Sequence, residues 1–475
     1  MRRRPLVFAL ALALLPTSAF AEDLLQTYEL ARNSDPQLSA AESQRLATRE
    51  GAVQARAAML PQISGDASIN RSRSTSPSGG VQTDINGQPV LDQNGNPRVI
   101  NGDQELDSTS RRLGVNLNQM VYDRSRFTTL QSQRSLSKAS DFQLESAGDT
   151  LVTRTSQAYF NVLVATETLA AAEAQEAALK KQFDFADKRL EVGLAPITDV
   201  HEARAQYDSA RANTIVVRNA LEDAYQALIE LTGVPVNNLK GLPDDFKPVL
   251  PVEQAAEGWV NSAIENNPAL IAKKFQVESS EANIETARSG YWPSLYFNGG
   301  YGDNNTSSDR TFGGVTTANE NGSRGPNIGL TLSVPIFSGG ATQSRVRQAI
   351  AQRDVAQDEL EQQKRALVRN TRNAYQTLVA GISEVEARRL AVFSARSAYD
   401  ASQVGLEVGT RTVLDVLNNQ QTLFNAEREY ALARYNFLQN RLLLEQAAGT
   451  LDVADVQDVN RLLTVTPETR LRSTP

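Results

Sequence analysis

Cysteine is absent from the chain, and histidine occurs once, at His201. Without thiols there is no disulfide, no thiolate metal site and no N-terminal cysteine to carry a lipid anchor. One histidine leaves no room for a multi-histidine metal centre, and no serine-nucleophile motif stands ready to complete a triad with it. Gly299, Gly300 and Gly302 lie in a strand-like stretch with no helix after it, so they do not form a nucleotide loop. The sequence predicts no enzyme, no cofactor and no bound metal. Also missing is an apolar run of the roughly 20 residues that a membrane-spanning helix takes. The one apolar run, Leu6 to Leu15, is about half that length. It follows Arg2, Arg3 and Arg4 and precedes Ala19-Phe20-Ala21, the pattern of a secretory signal peptide over residues 1–21. The mature chain is expected to start near Glu22. A secreted chain of this kind can enter a membrane only through the strands of a closed barrel. The formal net charge is −7, or −7 − 3 = −10 once the three arginines of residues 1–21 are removed. That acidity argues against a nucleic-acid partner.

What is present is a duplication. Asp35-Pro36 matches Asn267-Pro268, and Leu60-Pro61 matches Trp292-Pro293. Leu190-Glu191-Val192-Gly193 recurs as Leu406-Glu407-Val408-Gly409, Asp199-Val200 as Asp415-Val416, and Gly233 as Gly449. The sequence divides into a first repeat over 22–233, a Pro-rich linker over 234–251, a second repeat over 252–450 and a tail over 451–475. The first copy carries extra residues within 71–110, rich in Ser, Asn, Gly and Asp. These turn-forming residues predict a polar, mobile loop, with a shorter equivalent over about 303–325.

Four segments alternate at period two: about 62–70, 113–121, 294–302 and 327–337. In the first, Ile63, Gly65, Ala67 and Ile69 interleave with Gln62, Ser64, Asp66, Ser68 and Asn70. In the last, Ile328, Leu330, Leu332, Val334 and Ile336 interleave with Gly329, Thr331, Ser333 and Pro335. About ten residues suffice for a tilted strand to cross a bilayer, and apolar-out, polar-in alternation is the signature of a membrane barrel. Tyr122, Tyr291, Trp292 and Phe337 sit at the strand ends away from the polar loops, as an interfacial aromatic girdle would. A half-buried soluble sheet shows the same alternation. Four strands cannot close a barrel, since single-chain barrels start at about 8. The chain must then assemble, and periodicity leaves a dimer of roughly 8 strands and a trimer of roughly 12 both open.

Between the strands the pattern is helical, over about 123–192 and 197–231, and again over 341–407 and 413–448. The longer pair would each extend about 100 Å. Val416, Leu423, Tyr430, Phe437 and Leu444 are spaced by seven, as are Val200, Tyr207, Thr214, Leu221 and Leu228. A strict heptad predicts left-handed supercoiling.

With these residues in view the chain resembles the TolC family of outer-membrane efflux proteins over nearly all of its mature length. The stretches that carry the resemblance are Val192-Gly193 with Ile197-Thr198-Asp199-Val200, and Val408-Gly409-Thr410-Arg411-Thr412 leading into Asp415-Val416-Leu417. Ala431 to Asn440 and Ala448-Gly449-Thr450-Leu451 add to it. The resemblance implies an α+β membrane protein, a homotrimer. Each protomer would give four transmembrane strands to a 12-stranded barrel, continued by a long α-helical coiled-coil tunnel in the periplasm. It implies a place in the outer membrane, in contact with its lipid. It implies as partners a periplasmic adaptor (membrane fusion) protein and an inner-membrane ABC or RND pump. Proteins, by type I secretion, or small toxic compounds, by multidrug efflux, would leave through the bore.

The resemblance also implies a gate. Arg411 would bond to Thr198 and Asp199 of the other repeat, locking the periplasmic tip; an Arg–carboxylate link is directional, yet weak enough to release when exposed. The family's tyrosine at this lock is Leu406 here. Asp415 would line the narrowest point, and Asn418 stands where a second aspartate ring is expected. Asp415 also suits the first turn of a helix on dipole grounds alone. A different class of function, a structural or adhesive envelope protein on a periplasmic coiled coil, accounts for the helices but not for the strands.

Overall fold

A computed structural model describes residues 23–465 except 83, 85, 86, 195, 251–254, 313 and 314. The signal peptide read over 1–21 lies outside the described residues, as does 466–475 of the tail. The order of elements explains the duplication. The first copy is α1 (Leu24–Ser34), α2 (Pro36–Ala57), β1 (Gln62–Val81), β2 (Val99–Tyr122), α3 (Arg124–Glu191) and α4 (Ile197–Thr232). The second is α5 (Ala256–Asn266), α6 (Pro268–Arg288), β3 (Ser294–Phe312), β4 (Val315–Ser333), α7 (Ala341–Glu407) and α8 (Val413–Ala448), followed by α9 (Val453–Leu462).

The repeated dipeptides are the joints of this plan. Asp35 ends α1 and its carboxylate accepts from Leu38 N at 3.1 Å, so one residue caps two helices. Asn267 does the same between α5 and α6, its Oδ1 accepting from Leu270 N at 3.1 Å. Pro36 and Pro268 follow at the first helical position, where a missing N–H costs nothing. Gly233 and Gly449 end α4 and α8 in the left-handed conformation, both at φ 70°. The helices α1, α2, α5, α6 and α9 were not separately legible in the sequence.

The described residues form two compact units. One holds residues 48–137 and 276–356, and its centre is a four-stranded antiparallel sheet in the order β1-β2-β3-β4. The register aligns the apolar positions of all four strands on one face. Ile63, Leu117, Gly299 and Ile328 share a row, and Gly65, Val115, Tyr301 and Pro326 share the next. Phe297 lies opposite Leu330 and Leu295 opposite Leu332 in the rows on the other side. In the protomer Ile328 is exposed at 81% and Ile63 at 73%, while Leu117, Leu295 and Phe297 are half-buried. The opposite face is mostly amide, hydroxyl and glycine, with the carboxylate of Asp66 among them. Asn118 donates to Asn298 at 2.7 Å and Asn298 to Thr331 at 3.0 Å, so polar rungs cross the sheet. β1 and β4 each pair on one side only.

The strands run much further than the alternation. The segment 71–110, expected to be a mobile loop, is mostly strand: β1 continues to Val81 and β2 begins at Val99. The stretch 303–325 is likewise mostly strand, in β3 and β4. The physical reason is that the ladder is a backbone property. It continues through polar residues on both faces, where a pattern of hydrophobicity gives no signal. In the other direction β4 stops at Ser333, short of the expected 337, because Ser333 pairs with Ser294, where its partner β3 begins.

The other unit holds residues 23–47, 138–275 and 357–465 of the described chain. Its core joins Tyr159, Phe160 and Leu163 of α3, Leu228 of α4, Leu378 of α7, and Tyr435, Leu438 and Leu442 of α8. The Pro-rich linker packs into that core through Val236, Leu239, Leu242 and Phe246. Its backbone is held by side chains: Tyr159 Oη accepts from Lys240 N at 2.9 Å, and Arg434 donates to Pro243 O at 3.2 Å. Arg434 is itself buried and ion-paired with Glu167, which also accepts from Tyr435 Oη at 2.8 Å. Among the described residues no helix is long and apolar enough to cross a membrane.

Candidate gate at the paired helical turns

The recurring Leu-Glu-Val-Gly is a helix terminator used twice. Gly193 and Gly409 stand at φ 75° and 80°, a conformation open to glycine at little cost. The N–H of each glycine bonds to the leucine carbonyl, Gly193 to Leu190 at 2.9 Å and Gly409 to Leu406 at 3.1 Å. The next residue reaches one position further back, Leu194 N to Arg189 O and Thr410 N to Gly405 O, both at 2.8 Å. These paired bonds satisfy carbonyls that the end of a helix would leave open.

Beyond the glycines the two turns differ. α4 starts after Pro196 with no side-chain cap. α8 starts with a capping box: Asp415 N donates to Thr412 Oγ1 at 3.2 Å, and Asp415 Oδ2 accepts from Thr412 N at 3.0 Å and Oγ1 at 2.9 Å. These bonds, together with the nearby charge of Arg411, hold the Asp415 carboxyl below the usual carboxylate range. Asp415 therefore has a firm structural task at its helix start. Thr412 was not singled out in the sequence, although Thr-x-x-Asp before an apolar repeat is a readable capping signal. Asn418 lies one turn on, exposed, its backbone carbonyl accepting from Thr422 Oγ1 at 2.9 Å.

Arg411 and Thr198 are exposed and Asp199 half-exposed in the first turn of α4. The register of the helices sets where they stand. Gln175 of α3 bonds to Gln421 of α8 at 2.8 Å, and Val413 and Leu417 pack with Leu179, Tyr207 and Ala210. The next layer, Phe183, Ala186, Leu190, Val200 and Ala203, is formed by α3 and α4. The first turn of α8 thus sits at the level of Tyr207, roughly 13 Å along α4 from Thr198. Among the described residues no hydrogen bond or ion pair joins Arg411 to Thr198 or Asp199 within the protomer.

A sheet with one continuous apolar face and two open edges, joined by chain to long paired helices ending in capped turns, defines an outer-membrane channel protein. The family described as outer membrane efflux protein matches residues 27–234 and 259–450, the two repeats, and the chain belongs to it. It is 34% identical to outer membrane protein TolC of Vibrio cholerae serotype O1, over 97% of this chain and 98% of the relative. It is 29% identical to the alkaline protease secretion protein AprF of Pseudomonas aeruginosa, over 95% of this chain and 89% of the relative. Among solved structures, the CmeC outer membrane channel of Campylobacter jejuni superposes with a TM-score of 0.72 at 18% identity, covering 94% of this chain and 90% of that one. The protein is an outer-membrane export channel.

Proposed function

We propose that the chain is the outer-membrane duct of a tripartite exporter, working as a homotrimer with a periplasmic adaptor and an inner-membrane ABC or RND pump. The observation that carries this reading is the sheet. Its apolar face is built for lipid, its polar face for water, and an unpaired edge in lipid is not viable. β1 and β4 would close on the neighbours' β4 and β1 to give a 12-stranded barrel. Residues 1–21 would be removed, leaving repeats over 22–233 and 252–450, the linker and the tail. Cargo passes without chemical change, as proteins or small toxic compounds; the likeness to a protease secretion protein supports the first.

The gate belongs to the same proposal. Asp415 rings the narrowest point, Asn418 weakens its hold on cations, and Arg411 locks the tip against Thr198 and Asp199. As no bond among the described residues joins these inside a protomer, the lock is drawn between protomers. Single-channel conductance in a planar bilayer tests the duct. Small steps in the native trimer support it, and a correctly inserted oligomer that passes no current would favour the structural or adhesive reading. The lock has its own test, because the chain has no cysteine. Arg411→Cys with Asp199→Cys should yield disulfide-linked oligomers on a non-reducing gel; cross-linking confined to one chain would place the link inside a protomer.

A further inference from the structure

Gly405 is a buried residue in the last turn of α7, and its φ is not in the left-handed region. Glycine there weakens the helix by up to about 1 kcal/mol relative to alanine. It is not needed for the turn, which Gly409 makes. Two observations show what its bareness provides. A Cβ on Gly405 would stand 2.6 Å from Arg411 Cγ, 3.2 Å from Arg411 Cβ and 3.3 Å from Thr410 Oγ1. The stem of Arg411 therefore lies directly on the Gly405 backbone. The Gly405 carbonyl also accepts three donors from the same two residues: Thr410 N at 2.8 Å, Arg411 N at 3.1 Å and Thr410 Oγ1 at 3.1 Å.

The backbone of Arg411 is thus tied to Gly405 O while its side chain crosses the site a Cβ would fill. The clashing atoms are at the root of the arginine, next to its anchored backbone, so the side chain cannot yield by moving only its tip. The first repeat serves as an internal comparison. There the position of Gly405 is held by Arg189, which stacks on Phe185 at 5.6 Å and donates to Leu194 O at 3.3 Å. The same cap is made with a large side chain at that position, so the cap alone does not require glycine. The position of Arg411 in that repeat is Ala195, which has no stem to accommodate.

We infer that Gly405 is a positioning residue for Arg411: its missing side chain is the seat that fixes the direction in which the guanidinium leaves the turn. The inference rests on the reading of Arg411 as the tip lock, and it assigns to that lock a residue which touches neither Thr198 nor Asp199.

The test compares single-channel steps of the full-length native trimer, Arg411→Ala, Gly405→Ala and the double variant. With an exposed link worth about 1 kcal/mol at most, Arg411→Ala should raise the occupancy of large steps by up to about fivefold. Gly405→Ala should produce a rise of similar size, and the double variant no more than either alone. A glycine with no part in aiming Arg411 predicts the opposite: Gly405→Ala would then conduct as the native protein does, whatever its melting temperature. Enlarged steps in Arg411→Ala with native steps in Gly405→Ala would overturn the positioning role and keep the lock. Native steps in Arg411→Ala would overturn the lock, and the role of Gly405 with it. Conductance is read channel by channel, so reduced assembly of one variant does not obscure the result.

Discussion

Asp415 has one oxygen engaged twice by Thr412, and among the described residues no bond to the other. The Thr412 bonds and the charge of Arg411 favour the charged form of Asp415 within the protomer, whereas in a ring of three each carboxylate would raise the pKa of the others, and the charged ring would attract cations. Two variants separate the ring from the cap. Asn418→Asp should strengthen block by a trivalent cation in bilayer recordings, by adding a second ring one turn on. Thr412→Ala removes the cap and should cost about 1 kcal/mol of stability while leaving block in place. Block unchanged by Asn418→Asp would exclude that position from the constriction.

Glu445 is a second residue whose charge is set by its surroundings. Burial, then the charge of Asp455, push its carboxyl up to about 7, against the opposing pull of Arg441 at 3.2 Å. The folded state therefore binds a proton that the unfolded chain releases above about 4.5. The stability this contributes is fully present below that value and is lost as pH rises through about 7. Stability should be greater at pH 5 than at pH 8, by an amount of order 1–3 kcal/mol, and Glu445→Gln should shrink the difference to the part owed to Asp149, whose carboxyl burial pushes up to about 6. An equal slope in the variant would show that another group carries the dependence.

At the scale of elements, glycines in the same left-handed region carry different loads. A Cβ on Gly193 meets nothing within 4 Å, so Gly193→Ala should cost only the left-handed penalty of about 1–2 kcal/mol. A Cβ on Gly449 would stand 2.5 Å from Asn266 C and Asn267 N, backbone atoms at the joint of α5 and α6. Gly449→Ala should be much the more destabilising in thermal melts of the assembled protein. The sequence showed both glycines as repeats but not this difference, which depends on what lies against each.

The same limit explains which elements were legible. The helices α4 and α8 have heptads and the lipid-crossing rows have alternation, so both could be read. The outer halves of the strands have neither, and their Asn-Gly and Ser-rich composition argued for loops. Of the gate, the helix-terminating glycines and the start of α8 were legible as motifs. The separation of Arg411 from Thr198 and Asp199 within the protomer was not, because it depends on the stagger between α8 and α4.

For the whole molecule, the decisive property is that the two faces of one sheet are made for different solvents. Ile328→Arg would place a charge in the middle of the apolar rows, at a cost of roughly 2–4 kcal/mol in lipid. Asn327→Arg, one residue away on the polar face, should be nearly neutral. The amount of folded oligomer in the outer-membrane fraction reports the difference. Equal yields from both variants would remove the assignment of the faces.

The sheet does not end where its apolar rows end. From Ile69 to Val81, β1 continues for roughly 40 Å of strand, paired throughout with β2. With the tilt of a membrane barrel, that would make a wall about 30 Å high, and its largely polar residues suit water on both sides. In the proposed duct such a wall is a chimney. An oily compound released at the level of the headgroups could dissolve straight back into the bilayer. One released at the rim of a wet wall must first diffuse back through water, where it is diluted into the surrounding medium.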